Sequence, residues 1–201
     1  MGTRNLTMVI NKEGETKIAQ YGQWDGYPEG QGRVILTFLN RRKSSGFKKF
    51  QKKLELVHFS TEEEEKEMQK FSESIGSKDG WMTMEQSAKY HERYPLLTRD
   101  LGGAILKSVD KLTKPTFLQD STKFAADGLF CEYAYVVDFK KGNFEVYEGF
   151  SKRKLTEKDR FYPLFGKSDN GYSPVVLRKT FKLNNLPTVK QFLKILEPKE
   201  E

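Results

Sequence analysis

Cys131-Glu132-Tyr133-Ala134-Tyr135-Val136-Val137-Asp138-Phe139 decides the fold class. Every second residue from Cys131 is apolar, while Glu132 and Asp138 fall on the opposite face, the period-two pattern of a strand. Lys140-Lys141-Gly142-Asn143 then reads as a turn and 144–147 as the returning strand, a β-hairpin. A second hairpin opens the chain. Arg4, Leu6, Met8 and Ile10 alternate with Thr3, Asn5, Thr7 and Val9, Lys12-Glu13-Gly14-Glu15 is a turn, and 16–21 returns. Between the hairpins the apolar period becomes helical. Strands, helices, strands and a last helix predict an α+β fold over 1–201, with a largely antiparallel sheet and helices covering one face.

The helical, highly charged middle spans about 31–112. Its first helix is expected to begin near Gln31 or Gly32, with Val34, Ile35, Phe38 and Leu39 on one stripe. Over 46–57, Phe47, Phe50, Leu54 and Val57 form an apolar face against Lys48, Lys49, Lys52 and Lys53. Ser60 or Thr61 caps the next helix, whose first turn carries Glu62 to Glu65 at the positive end of the helix dipole. Met68, Phe71 and Ile75 are its apolar side. A further helix over 83–94 ends before Pro95. Leu101, Ile105, Val109 and Leu112 mark another, running through Gly102-Gly103. Strands occupy about 116–183, with Val175, Leu177, Phe181 and Leu183 alternating in the last. The final helix covers about 187–197, with Val189, Phe192, Leu193 and Leu196 inward.

The formal charge of +7 favours anionic partners in general. Seven basic residues (Arg41, Arg42, Lys43, Lys48, Lys49, Lys52 and Lys53) fall between Arg41 and His58 against the single acid Glu55. Glutamates follow directly, so the two blocks either neutralise one another or present separate surfaces. Lys152-Arg153-Lys154, Lys158 and Arg160 form a second basic region. The lone Cys131 leaves no internal disulfide and suits a reducing cytoplasm. No apolar run approaches the roughly 20 residues of a membrane span, and the N-terminus does not read as a signal peptide. No membrane partner is therefore expected. His58 and His91 lie far apart without neighbouring ligands, so neither metal nor cofactor is expected.

The candidate site is the loop Tyr21-Gly22-Gln23-Trp24-Asp25-Gly26-Tyr27-Pro28-Glu29-Gly30-Gln31-Gly32. Trp24 and Tyr27 either pack in the core or stack a ligand's base. In the second case Gln23 and Asp25 read its polar edge, and Arg4 neutralises its charge. Gly30 and Gly32 precede a helix whose free N–H groups would receive phosphate or carboxylate. Facing the same way as Leu6 and Met8, Arg4 is either a surface residue or a buried ion-pair partner of Asp25. Neither a Walker motif nor a dinucleotide fingerprint accompanies the glycines, and no nucleophile elbow occurs. A non-enzymatic protein binding a small anionic, nucleotide-derived ligand is the favoured reading. Its alternatives are an inhibitor of an effector or nuclease acting through the charged helices 46–75, and nucleic-acid binding through the lysine-rich helix.

Met1-Gly2-Thr3-Arg4-Asn5-Leu6-Thr7, the loop at 20–32 and Cys131-Glu132-Tyr133-Ala134-Tyr135-Val136-Val137-Asp138 resemble a group of bacterial and phage proteins. The resemblance covers the two hairpins and the loop, not the charged middle. It implies no specific activity. It implies a phage or prophage accessory role, such as evading host defence by sequestering a nucleotide signal or blocking a host protein.

Overall fold

The computed structural model describes residues 2–167 and 170–197. Met1 and the last four residues of the expected 1–201 domain lie outside the described residues. Strands β1 (Asn5–Ile10) and β2 (Thr16–Gly22) form the first hairpin; β5 (Tyr133–Asp138) and β6 (Asn143–Glu148) form the second. With β7 (Val176–Lys182) they make one sheet of order β2-β1-β5-β6-β7. The fold is a single α+β domain, and its sheet is antiparallel except where the hairpins meet. There β1 and β5 run parallel, Asn5 opposite Tyr133 and Ile10 opposite Asp138.

A parallel pair needs a long crossover, and the middle of the chain supplies it. Helices α1 (Arg33–Lys43), α2 (Lys48–Leu54) and α5 (Ile105–Asp110) lie in that crossover and pack, with the terminal α6 (Val189–Leu196), on one sheet face. Ile35, Leu36, Leu39, Phe50, Leu106 and Phe192 close over Val9, Ile18, Tyr135, Val137 and Phe144. The central strands are buried on both faces. Leu6, Met8, Ala134, Val136 and Tyr147 pack on the other side against Ala125, Leu155, Phe161 and Val175 from largely irregular segments.

The helix boundaries differ from the sequence expectation in three places. The lysine-rich helix ends at Leu54, and Val57 instead opens β3 (Val57–Phe59), paired in parallel with β4 (Thr116–Leu118). Val57 is buried as expected but as a strand residue. A π-helical turn, Pro28–Gly32, precedes α1, and the buried set is Ile35, Leu36 and Leu39, leaving Val34 exposed. The helix expected across 101–112 is a tight 3-10 turn at Gly102–Ala104 followed by the short α5, because Gly102 takes φ +45°, outside the right-handed helical region. In β7, a register shift opposite Val146/Tyr147 breaks the alternation and leaves Leu177 exposed.

The cap expected at Ser60 or Thr61 is realised at Thr61. Thr61, Thr83 and Thr188 each form a capping box, starting α3 (Glu62–Ser74), α4 (Met84–Arg93) and α6. Among the described residues the α2 lysines and the α3 glutamates do not pair. Glu67 bonds Arg93 and Glu64 bonds His58 instead. The second basic region is also divided. Arg153 pairs with Asp159, while Arg160 turns inward between Asp138 and Glu145, with Tyr147 donating to Glu145 at 2.7 Å. Burial, then the Glu145 hydrogen bond, pushes the Tyr147 phenol up.

Candidate functional site

Gly102 and Gly103 allow the start of α5 to touch α1. A Cβ on Gly103 would stand 2.6 Å from Ile35 Cγ1, and one on Gly102 would stand 2.7 Å from the Gln31 amide carbon. Gln31 fills that contact. Its Oε1 accepts from the Gly103 N–H at 2.8 Å and its Nε2 donates to the Trp24 carbonyl at 3.1 Å. The aromatic loop is thereby fastened to the helix pair.

Beyond this contact α1 and α5 diverge around a cleft of about 530 Å³. Arg33, Thr37 and Arg41 line it from α1 at successive i, i+4 positions, with Val34 and Phe38 beside them. From the facing segment come Ala104, Lys107 and Lys111. The floor is thus apolar (Val34, Phe38, Ala104) and the rim cationic. Arg42 closes the cleft by pairing with Asp110, its one carboxylate. Among the described residues no carboxylate pairs with Arg33, Arg41, Lys107 or Lys111. An anion about 4 Å from such a cation gains roughly 4 kcal/mol near a protein surface, against about 1 kcal/mol in bulk water. Four unpartnered cations around one concavity therefore select for negative charge.

The loop residues occupy different positions. Trp24 and Tyr27 are 47% and 39% exposed, so neither belongs to the core. Trp24 Nε1 donates to Asp100 at 2.9 Å, and its indole leaves no room for a Cβ on Gly2. The Tyr27 hydroxyl donates to Asp25 Oδ1 at 3.2 Å, and this bond with the Asp25 charge pushes the phenol up. Gln23 Oε1 accepts from the Tyr21 hydroxyl at 2.6 Å. Asp25 has φ +54° and its carbonyl accepts from the Gln31 N–H.

Two expectations for this loop are corrected. Among its glycines, Gly30 has no N–H free for an anion, because it donates to the Tyr27 carbonyl. Gly30 and Gly32 serve close packing. A Cβ at Gly30 would stand 2.1 Å from the Asp25 carbonyl oxygen, and one at Gly32 would meet Tyr135 and Phe192 at 3.1 Å. Arg4 does not pair with Asp25 either. Its guanidinium lies over the Phe130 ring at 4.6 Å, and its backbone N–H donates to Glu132 Oε1 at 3.2 Å.

Of the basic block, Arg41 and Arg42 line the cleft and Lys43 lies on the other side of the α1 terminus. Lys48, Lys49 and Lys52 are exposed on α2, whereas Lys53 donates to the Leu112 carbonyl. Arg33, Lys107 and Lys111 were not singled out by sequence, since Arg33 and the two lysines lie more than seventy residues apart. The Gly102-Gly103 pair was the available signal, marking where two backbones approach. Among the described residues no group of three His, Cys, Asp or Glu is placed to hold a metal, and no helix is long and apolar enough to cross a membrane. Comparison with protein families, curated proteins and solved structures returned no match to the chain.

Proposed function

We propose that this is a non-enzymatic binding protein for a small anionic, nucleotide-derived ligand, held in the cleft between α1 and α5. The observation that carries the reading is the set of unpartnered cations, Arg33, Arg41, Lys107 and Lys111, around the floor of Val34, Phe38 and Ala104. Guanidinium groups suit the paired oxygens of a phosphate, and an apolar floor suits the flat face of a base. The described lining favours binding over chemistry. Its carboxylate is engaged by Arg42, and its one hydroxyl, on Thr37, has no base beside it. In this reading the loop 21–32 supports the cleft through Gln31. Sequestration of a host nucleotide signal in a bacterial cytoplasm, by a phage or prophage accessory protein, is the role that joins this cleft to the resemblance noted in the sequence.

A thermal-shift panel of mono-, di- and cyclic nucleotides and NAD-derived compounds tests it. Ligand at about 100 times its dissociation constant stabilises the fold by roughly 2.7 kcal/mol. Phosphorylated compounds raise the melting temperature and the corresponding nucleosides do not. A panel without any shift refutes the reading. Host-protein capture is a second reading, favoured by Trp81, just before α4, and Met84, its first residue, which are 83% and 91% exposed.

A further inference from the structure

The last turn of α1 separates two grooves. Arg41 and Arg42 face the cleft described above, while the next residue, Lys43, faces a second groove of about 680 Å³. The second groove lies between the α1–α2 connection and the β5–β6 turn. Lys43 stands on one wall and Lys141 and Lys182 on the other, above Phe47 and Phe139. The described lining contains no carboxylate. Lys182 makes one neutral contact, to Asn143 Oδ1 at 2.9 Å, and none of the three lysines pairs with a carboxylate among the described residues. Two cationic grooves thus meet across a single helical turn that is itself basic.

We infer that the two grooves together form a track for single-stranded nucleic acid, with one nucleotide unit in the α1–α5 cleft and the following phosphates passing Lys43 toward Lys141 and Lys182. The inference rests on the cleft being an anion site and extends that site to a polymer. An isolated nucleotide fills one groove and leaves the second set of lysines unmatched, whereas a polyanion meets both. The apolar lining of the α1–α5 cleft, with Val34 exposed, favours a single strand, because a duplex turns phosphate and sugar outward and keeps its bases inside. Grooves that follow a single strand combine a positive wall with surfaces for the bases.

The test is fluorescence anisotropy with a labelled oligodeoxythymidylate of about 12 nucleotides, within the site sizes known for single-strand grooves. It is run beside the thermal-shift assay with a mononucleotide. Each phosphate neutralised on a single strand contributes about −0.7 to the slope of log affinity against log salt. Wild type shows a slope of about −3 or steeper, and the Lys141→Glu/Lys182→Glu variant shows one shallower by about 1.4, two phosphates' worth. The mononucleotide shift is unchanged in that variant, and duplex of equal length binds more weakly than single strand.

If the mononucleotide binds but the oligonucleotide does not, or the two have the same salt slope, the track is wrong and the cleft reading stands. Unchanged oligonucleotide affinity in the double variant also overturns the track, as does equal or tighter binding of duplex. If neither probe binds, both readings fall.

Discussion

The Gln31 side chain accepts a hydrogen bond from the backbone N–H of Gly103 at 2.8 Å, and through this contact the aromatic loop braces the wall of the cationic cleft. The contact depends on the missing side chain at Gly103, where Ile35 leaves no space. Gly103→Ala should therefore destabilise the fold by about 1–3 kcal/mol through overpacking. Urea unfolding measures this directly. Gln31→Ala should cost a similar ~1–3 kcal/mol, by leaving the Gly103 N–H without its partner.

Arg160 sits between two buried carboxylates, 2.6 Å from Asp138 and 2.8 Å from Glu145. Removing its charge strands both, so Arg160→Met should lose about 3–5 kcal/mol of stability. Arg160→Lys should recover only part of that loss, since an ammonium cannot reproduce the two-armed contact. Equal stability of the Met variant and wild type in chemical denaturation would show that this cluster does not hold the segment to the sheet.

Asp159 accepts from Arg153 and from the Thr156 N–H, and these bonds, the Arg153 contact first, hold its carboxyl well below the usual range. A depressed folded value means stability that is present above the unfolded value of about 3.9 and declines as the solution is acidified below it. Asp159→Asn should accordingly be less stable than wild type at neutral pH, with the gap narrowing in acid. Denaturation curves recorded across that range check the sign, and a gap that widens in acid would refute it.

Thr188 accepts from the Gln191 N–H at the start of α6, the helix that lays Phe192 and Leu196 on the sheet. Thr188→Ala should cost about 1 kcal/mol, read as a fall in melting temperature.

Local chemistry was the legible part of this protein. Both hairpins follow from alternation around glycine turns, and Thr61 announces α3 through a short-range hydrogen bond. The parallel pairing of β1 with β5 was not legible, because periodicity within either strand is silent about a partner across a long crossover. Val57 misled for a related reason. It completes a helical spacing with Phe47, Phe50 and Leu54, and pairing with β4 overrides that local pattern. At the candidate site, the loop drew notice because its aromatics are adjacent in sequence, yet most of their polar atoms bond within the loop or to Asp100. Arg33, Lys107 and Lys111 converge only when α1 and α5 pack, so no short window of sequence contains the cleft.

The most direct measurement compares two variants by calorimetric titration with a nucleotide that stabilises wild type. Lys107→Glu reverses a cleft cation, and Trp24→Phe alters the loop without touching the cleft. The cleft account predicts at least a tenfold loss of affinity for Lys107→Glu, about 1.4 kcal/mol, and wild-type affinity for Trp24→Phe. Intact binding in Lys107→Glu with loss in Trp24→Phe would contradict it and return the site to the loop.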